Sequence, residues 1–137
     1  DDVESRGLGD VYKRQDECDV VVPRDRIAAF VKHSVSIGRE EGVRICSFGH
    51  AGDGNLHLYI CQDGLKDAVW TDVVERVMER LYAQARELGG EVSGEHGIGH
   101  AKRAFLLESA GARQIDLMRG IKAVFDPNGI LNPGKVV

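Results

Sequence analysis

Cysteine, aromatic residues and long apolar runs are all scarce in this 137-residue chain. Its three cysteines, Cys18, Cys46 and Cys61, are odd in number and form no CxxC pair. That spacing argues against a disulfide framework or a cysteine-built zinc site and suits a reducing compartment, so a cytoplasmic location is expected. No apolar run approaches the ~20 residues needed to span a bilayer, so no membrane span is expected. The charged N-terminus lacks the apolar centre of a signal peptide. Basic charge is not in excess either: the net charge is −4, and nucleic acid is not an expected partner. RNA binding on a sheet would have only Phe48 and Tyr59 as paired stacking platforms.

What is present is ordinary for a globular domain: 42% apolar and 29% charged residues, enough chain for one modest core. Residues 1–15, DDVESRGLGDVYKRQ, stand apart, with seven charges and no apolar periodicity. The stretch resembles translated adapter sequence and is set aside as a non-native segment. The expected organisation is then a domain over 16–110 and a helical tail over 111–137.

ECDVVVP (17–23) reads as a strand stopped by proline. From Arg24 to Glu41 the residues Ile27, Phe30, Val31 and Ile37 recur at helical spacing, with Gly42 as the stop. VRICSFGH (43–50) and NLHLYIC (55–61) are two further strands. Residues 66–88 carry the clearest helical stripe: Trp70, Val73, Val74, Val77, Leu81, Ala85 and Leu88. A glycine-rich strand and loop at 91–103 follows, then a helical turn at 104–110. A last helix over 112–125 carries Ile115, Met118, Ile121 and Phe125 on one face. The order strand, helix, strand, strand, helix, strand predicts an α+β fold, a ferredoxin-like antiparallel sheet with helices on one face, plus a C-terminal helical tail.

The hairpin SFGHAGDGNLHLYI (47–60) holds the first candidate chemistry. With Asp53-Gly54 as a two-residue turn, His50 faces His57, Phe48 faces Tyr59 and Cys46 faces Cys61. Leu56, Leu58 and Ile60 then point to the opposite face. Two facing imidazoles can converge on one ion, although histidines beside a turn are more often solvated. EVSGEHGIGH (91–100) adds Glu95, His96 and His100 among glycines. A carboxylate with two imidazoles is a common catalytic metal set that leaves positions open for substrate. A polar surface loop is the plainer reading of the same stretch.

GHAGDGNLH (49–57), GEVSGEHGIG (90–99) and FDPNGILNPGK (125–135), in this order, resemble the C-terminal part of FAD-linked 2-hydroxyacid oxidoreductases. That family includes D-lactate dehydrogenases, glycolate oxidase and D-2-hydroxyglutarate dehydrogenase. The resemblance covers about residues 16–137. It implies that 16–110 is a substrate or cap domain and that 111–137 returns to an N-terminal FAD domain absent from this chain. It implies His50, His57 and Glu95 as ligands of a divalent metal, zinc or manganese, and His96 as the catalytic base. Asn55 is implied to line the substrate pocket, and Asn132 to approach FAD. Tyr59 departs from the pattern, standing where some relatives carry an asparagine. The activity implied is metal-assisted oxidation of a small 2-hydroxyacid. A non-catalytic ferredoxin-like module binding a metal or a small acid is the rival class; it shares the hairpin but needs no tail aimed at a flavin.

Overall fold

The computed structural model describes residues 15–137, so the reading of the first fifteen residues falls, but for Gln15, outside the described residues. Chain contacts divide the described residues into two compact units, one ending at Gly94 and one spanning Glu95–Val137.

The first unit is a three-stranded antiparallel sheet with two long helices. Strand β1 spans Gln15–Val21, helix α1 Ile27–Glu41, strand β2 Arg44–His50, strand β3 Asn55–Cys61 and helix α2 Asp67–Glu87. The strand order is β1-β3-β2, which makes β3 central. Period-two alternation sorts the side chains into two faces. Cys18 and Val20 of β1 pair with Leu58 and Leu56, and Ile45 of β2 pairs with Ile60. These residues face the helices: a Cβ built on Gly38 of α1 would lie 3.2 Å from the Ile45 side chain. Leu58, Ile60, Phe30, Ile37, Val77 and Leu81 are all fully buried there. Each such side chain contributes roughly 1.5–3 kcal/mol. Tyr82 joins this core although the expected stripe omitted it, and burial pushes its phenol well above the ordinary range.

The ends of α1 and β1 follow the local chemistry. α1 stops at Gly42, whose φ of 72° is the left-handed conformation that glycine reaches without penalty. β1 ends at Val21; one further bond, Val22 N–H to Gly54 O at 2.9 Å, continues its pairing before Pro23, which has no N–H to donate. Arg80 of α2 bonds both Glu40 and Glu41 at the end of α1.

Two expectations need correction. The hairpin turn holds four residues, 51–54, with the N–H groups of Asp53 and Gly54 both donating to His50 O at 3.0 Å. The register is therefore shifted by two: His50 pairs with Asn55, Phe48 with His57 and Cys46 with Tyr59. An even shift keeps every side chain on its expected face. The fourth strand shrinks to one bridge, Val21 with Glu91. Two residues on, the Asp19 carboxylate captures the Ser93 hydroxyl and the Gly94 N–H at 2.9 and 3.1 Å, which ends the backbone ladder.

The second unit holds helix α3 (Arg103–Ser109), helix α4 (Ala112–Phe125) and a looped tail. Asp126 organises that tail. Its oxygens accept from Ile130 N and Leu131 N at 2.9 and 3.0 Å, and from Lys122 Nζ at 2.5 Å. The Lys122 ammonium and the two amides hold the Asp126 carboxyl below the usual carboxylate range. A depressed folded-state pKa contributes stability above the ordinary value of about 3.9, and that stability is lost as pH falls through the lower value. Hydrogen exchange of the Ile130 and Leu131 amides, corrected for intrinsic rates, should show constant protection from about pH 7 to 5 and a loss below about pH 4. Asp126→Ala should show the loss at every pH.

Of the expected α4 face, only Ile115 is buried; Ile121 and Phe125 are 62% and 77% exposed. With Leu131, Lys122, Asn132 and Lys135 they line a groove of about 400 Å³ within this unit.

Candidate substrate and metal site

The sheet face away from the helices is polar and aromatic. β1 supplies Glu17 and Asp19; β3 supplies Asn55, His57 and Tyr59; β2 supplies Cys46, Phe48 and His50. His57 is central and 4% exposed. Its ring meets the Phe48 ring at 5.3 Å and the His50 ring edge-on at 5.8 Å. Phe48 also stacks on Tyr59 at 5.3 Å. His50 and His57 are diagonal neighbours across the hairpin rather than directly opposed, and their rings still converge.

Two carboxylates stand beside His57. Its Nδ1 lies 3.4 Å from Glu17 Oε1 and 3.9 Å from Asp19 Oδ1. Asp19 is fully buried. One of its oxygens accepts from Asn55 Nδ2 at 2.6 Å. The same amide nitrogen donates to Val20 O at 3.1 Å. The assignment of that amide follows from chemistry, since both neighbours are acceptors and only the NH₂ end can face them. Asn55 Oδ1 is buried and accepts no hydrogen bond among the described residues. Sequence reasoning passed over Glu17 and Asp19, but the alternation in ECDV carries them: Cys18 and Val20 take the core face, so the acidic pair takes the other.

Gly94 closes this corner. A Cβ there would lie 1.7 Å from Asn55 Nδ2, so only glycine fits. Arg44 of β2 shares this face by alternation and is already paired. Its guanidinium forks onto Asp63 at 2.8 and 2.9 Å and touches Cys46 Sγ at 3.3 Å.

The structure thus brings His50, His57 and Asn55 together in the first unit. Glu95, His96 and Asn132 belong to the second unit. Glu95 and His96 are exposed in the turn after Gly94. Asn132 takes a left-handed φ of 47° and accepts from Lys135 Nζ at 3.2 Å.

The first unit is an α+β domain whose polar sheet face gathers two imidazoles and two carboxylates. The family follows from comparison with known proteins. Residues 4–136 match the family model described as FAD linked oxidases, C-terminal domain, and the chain belongs to that family. It is 52% identical over 121 residues to a D-lactate dehydrogenase of Anaerostipes hadrus, covering 88% of this chain and 26% of the relative. It is 42% identical over 118 residues to glycolate oxidase subunit GlcD of Bacillus subtilis (strain 168), covering 86% and 25%. A D-2-hydroxyglutarate dehydrogenase of Stutzerimonas stutzeri (strain A1501) is 38% identical over 121 residues, covering 86% and 26%. The chain spans about a quarter of the length of these curated relatives. Among the described residues no helix is long and apolar enough to cross a membrane.

Proposed function

We propose that this chain is the substrate-side portion of a flavin-dependent dehydrogenase that oxidises a small D-2-hydroxy acid to the 2-oxo acid with the help of a divalent metal. The observation that carries the reading is the polar sheet face, where His50 and His57 converge beside two carboxylates in a chain of the FAD-linked oxidase family.

The donors fit a metal. The His50 and His57 rings stand edge-on with centroids 5.8 Å apart, and an imidazole pair of this kind can share one ion. His50, His57 and Glu95 would hold the ion, and mixed nitrogen and oxygen donors suit zinc or manganese. A metal so held supplies Lewis acidity that lowers the pKa of the substrate hydroxyl. FAD, bound mainly by a domain outside this chain, supplies the acceptor for the C2 hydride. His96 would take the hydroxyl proton, the general-base role an imidazole most often fills. Asn55 lines the pocket.

The apolar groove of α4 and the tail is proposed as the surface that meets the flavin domain, with Asn132 reaching toward the cofactor. Ile121 and Phe125, both in its lining, are each more than 60% exposed, as apolar side chains at a docking surface are.

The test joins the chain to a flavin domain of the same family and follows dye reduction with D-lactate, glycolate and D-2-hydroxyglutarate. Turnover on at least one acid is expected, to be lost on chelation and restored by Zn²⁺ or Mn²⁺. Full flavin loading without turnover on any of them would favour a non-catalytic binding module. Turnover indifferent to chelation would remove the metal from the reading.

A further inference from the structure

We propose that Asp19 is a positioning residue for the candidate metal site. The inference rests on the metal reading above. Asp19 is 0% exposed. A buried carboxylate is costly unless hydrogen bonds surround it. This one ties together two segments far apart in sequence. Its Oδ1 accepts from Asn55 Nδ2 at 2.6 Å. Its Oδ2 accepts from Ser93 Oγ at 2.9 Å and from Gly94 N at 3.1 Å.

The two anchored segments are those that carry the proposed ligands. Asn55 pairs with His50 in the ladder and precedes His57 by two residues on the same strand face. Ser93 and Gly94 lead directly, by covalent connection, into Glu95 and His96. One carboxylate therefore fixes the base of the histidine hairpin with one oxygen and the root of the Glu95-His96 segment with the other. Asp19 Oδ1 also stands 3.9 Å from His57 Nδ1, where a carboxylate favours one orientation of a ligating imidazole. Asp19 touches neither substrate nor cofactor in this scheme; it acts through the residues it holds.

The packing shows how tightly the anchor is set. Asn55 Nδ2 lies where a Cβ on Gly94 would need to be, so Asn55, Asp19 and Gly94 are in mutual contact without slack. Outer-sphere partners of this type typically change metal affinity 10–100-fold when removed.

The experiment titrates Mn²⁺ into the 137-residue chain by calorimetry and records the electron paramagnetic resonance spectrum of the bound ion. The proteins compared are wild type, Asp19→Asn, Asp19→Ala, Ser93→Ala and Leu81→Ala. Leu81→Ala perturbs the core between α2 and the sheet, away from the anchor, and calibrates how far lost stability alone moves the readouts. Asp19→Asn is nearly isosteric, and it retains an acceptor for Asn55 but not the charge. Under conditions where each variant is folded by circular dichroism, Asp19→Ala should weaken Mn²⁺ binding 10–100-fold and alter the spectrum. Asp19→Asn and Ser93→Ala should fall between it and wild type, and Leu81→Ala should bind as wild type does. Equal affinity and an unchanged spectrum in folded Asp19→Ala would overturn the positioning role while leaving the metal reading intact. A wild-type chain that binds neither Mn²⁺ nor Zn²⁺ would overturn the metal reading, and this inference with it.

Discussion

Zn²⁺ or Mn²⁺ titrated into the chain is expected to bind, and His57→Ala is expected to weaken that binding on the order of a hundredfold or more, beyond what loss of an outer-sphere partner costs. His57 sits on the central strand, 4% exposed, with Glu17 Oε1 3.4 Å from its Nδ1. Such burial fixes the ring before any ion arrives, so its removal deletes a ligand and the preorganisation together. Because a buried ring is also a packing element, His50→Ala serves as the second variant. His50 is exposed and its loss leaves no cavity, so a fall of similar size there reports ligation rather than folding. His33→Ala, at a half-buried position on α1 outside the proposed ligand set, should change nothing. Isothermal calorimetry reads all three. Unchanged affinity in folded His50→Ala and His57→Ala would remove both residues from the ligand set.

Gly94→Ala is expected to destabilise the first unit by about 3 kcal/mol, at the upper end of the cost of overpacking. The new Cβ would fall 1.7 Å from Asn55 Nδ2, 2.6 Å from Asn55 Cγ and 3.1 Å from Asp19 Oδ1. Asn55 cannot swing aside without breaking its bonds to Asp19 and Val20 O, at 2.6 and 3.1 Å. The loop must therefore detach, which strips two donors from a fully buried carboxylate. Urea unfolding of the chain measures the cost. A loss below about 1 kcal/mol would show that the 93–94 segment yields cheaply and that the anchor is loose.

Much of this arrangement is legible in the sequence, because the strands alternate and the long helix carries a clean stripe. Leu56, Leu58 and Ile60 point to the helices as their spacing requires. What escaped reading was set by long-range contact. Asp53-Gly54 is a strong two-residue turn signal, yet Gly54 serves a distant partner as well. Its φ of 80° and its place 2.0 Å, at the position of a Cβ, from Val22 O tie the turn to the end of β1. A four-residue loop results, and the histidines become diagonal neighbours. The fourth strand was lost to a side chain, since Asp19 outbids the ladder for Ser93 and Gly94. Tyr82 was missed because it directly follows Leu81 and so stands one position off the expected stripe, although the phenol lies in the core next to Cys18. The period of α4 shows an apolar face correctly but cannot show what covers it; Phe125 is 77% exposed. Of the candidate site, His50, His57 and Asn55 could be placed on one sheet face from alternation alone. Their carboxylate partners required noticing that the same alternation governs β1.

The most direct measurement is anaerobic reduction of FAD in the chain joined to its family's flavin domain. Addition of D-lactate or another D-2-hydroxy acid should bleach the oxidised flavin band in wild type, and His96→Ala should slow that bleaching by about 10²–10⁴-fold, the range of a lost general base. A flavin that stays oxidised with every 2-hydroxy acid, in a folded and metal-loaded protein, would contradict the assignment of this chain to hydroxyacid oxidation.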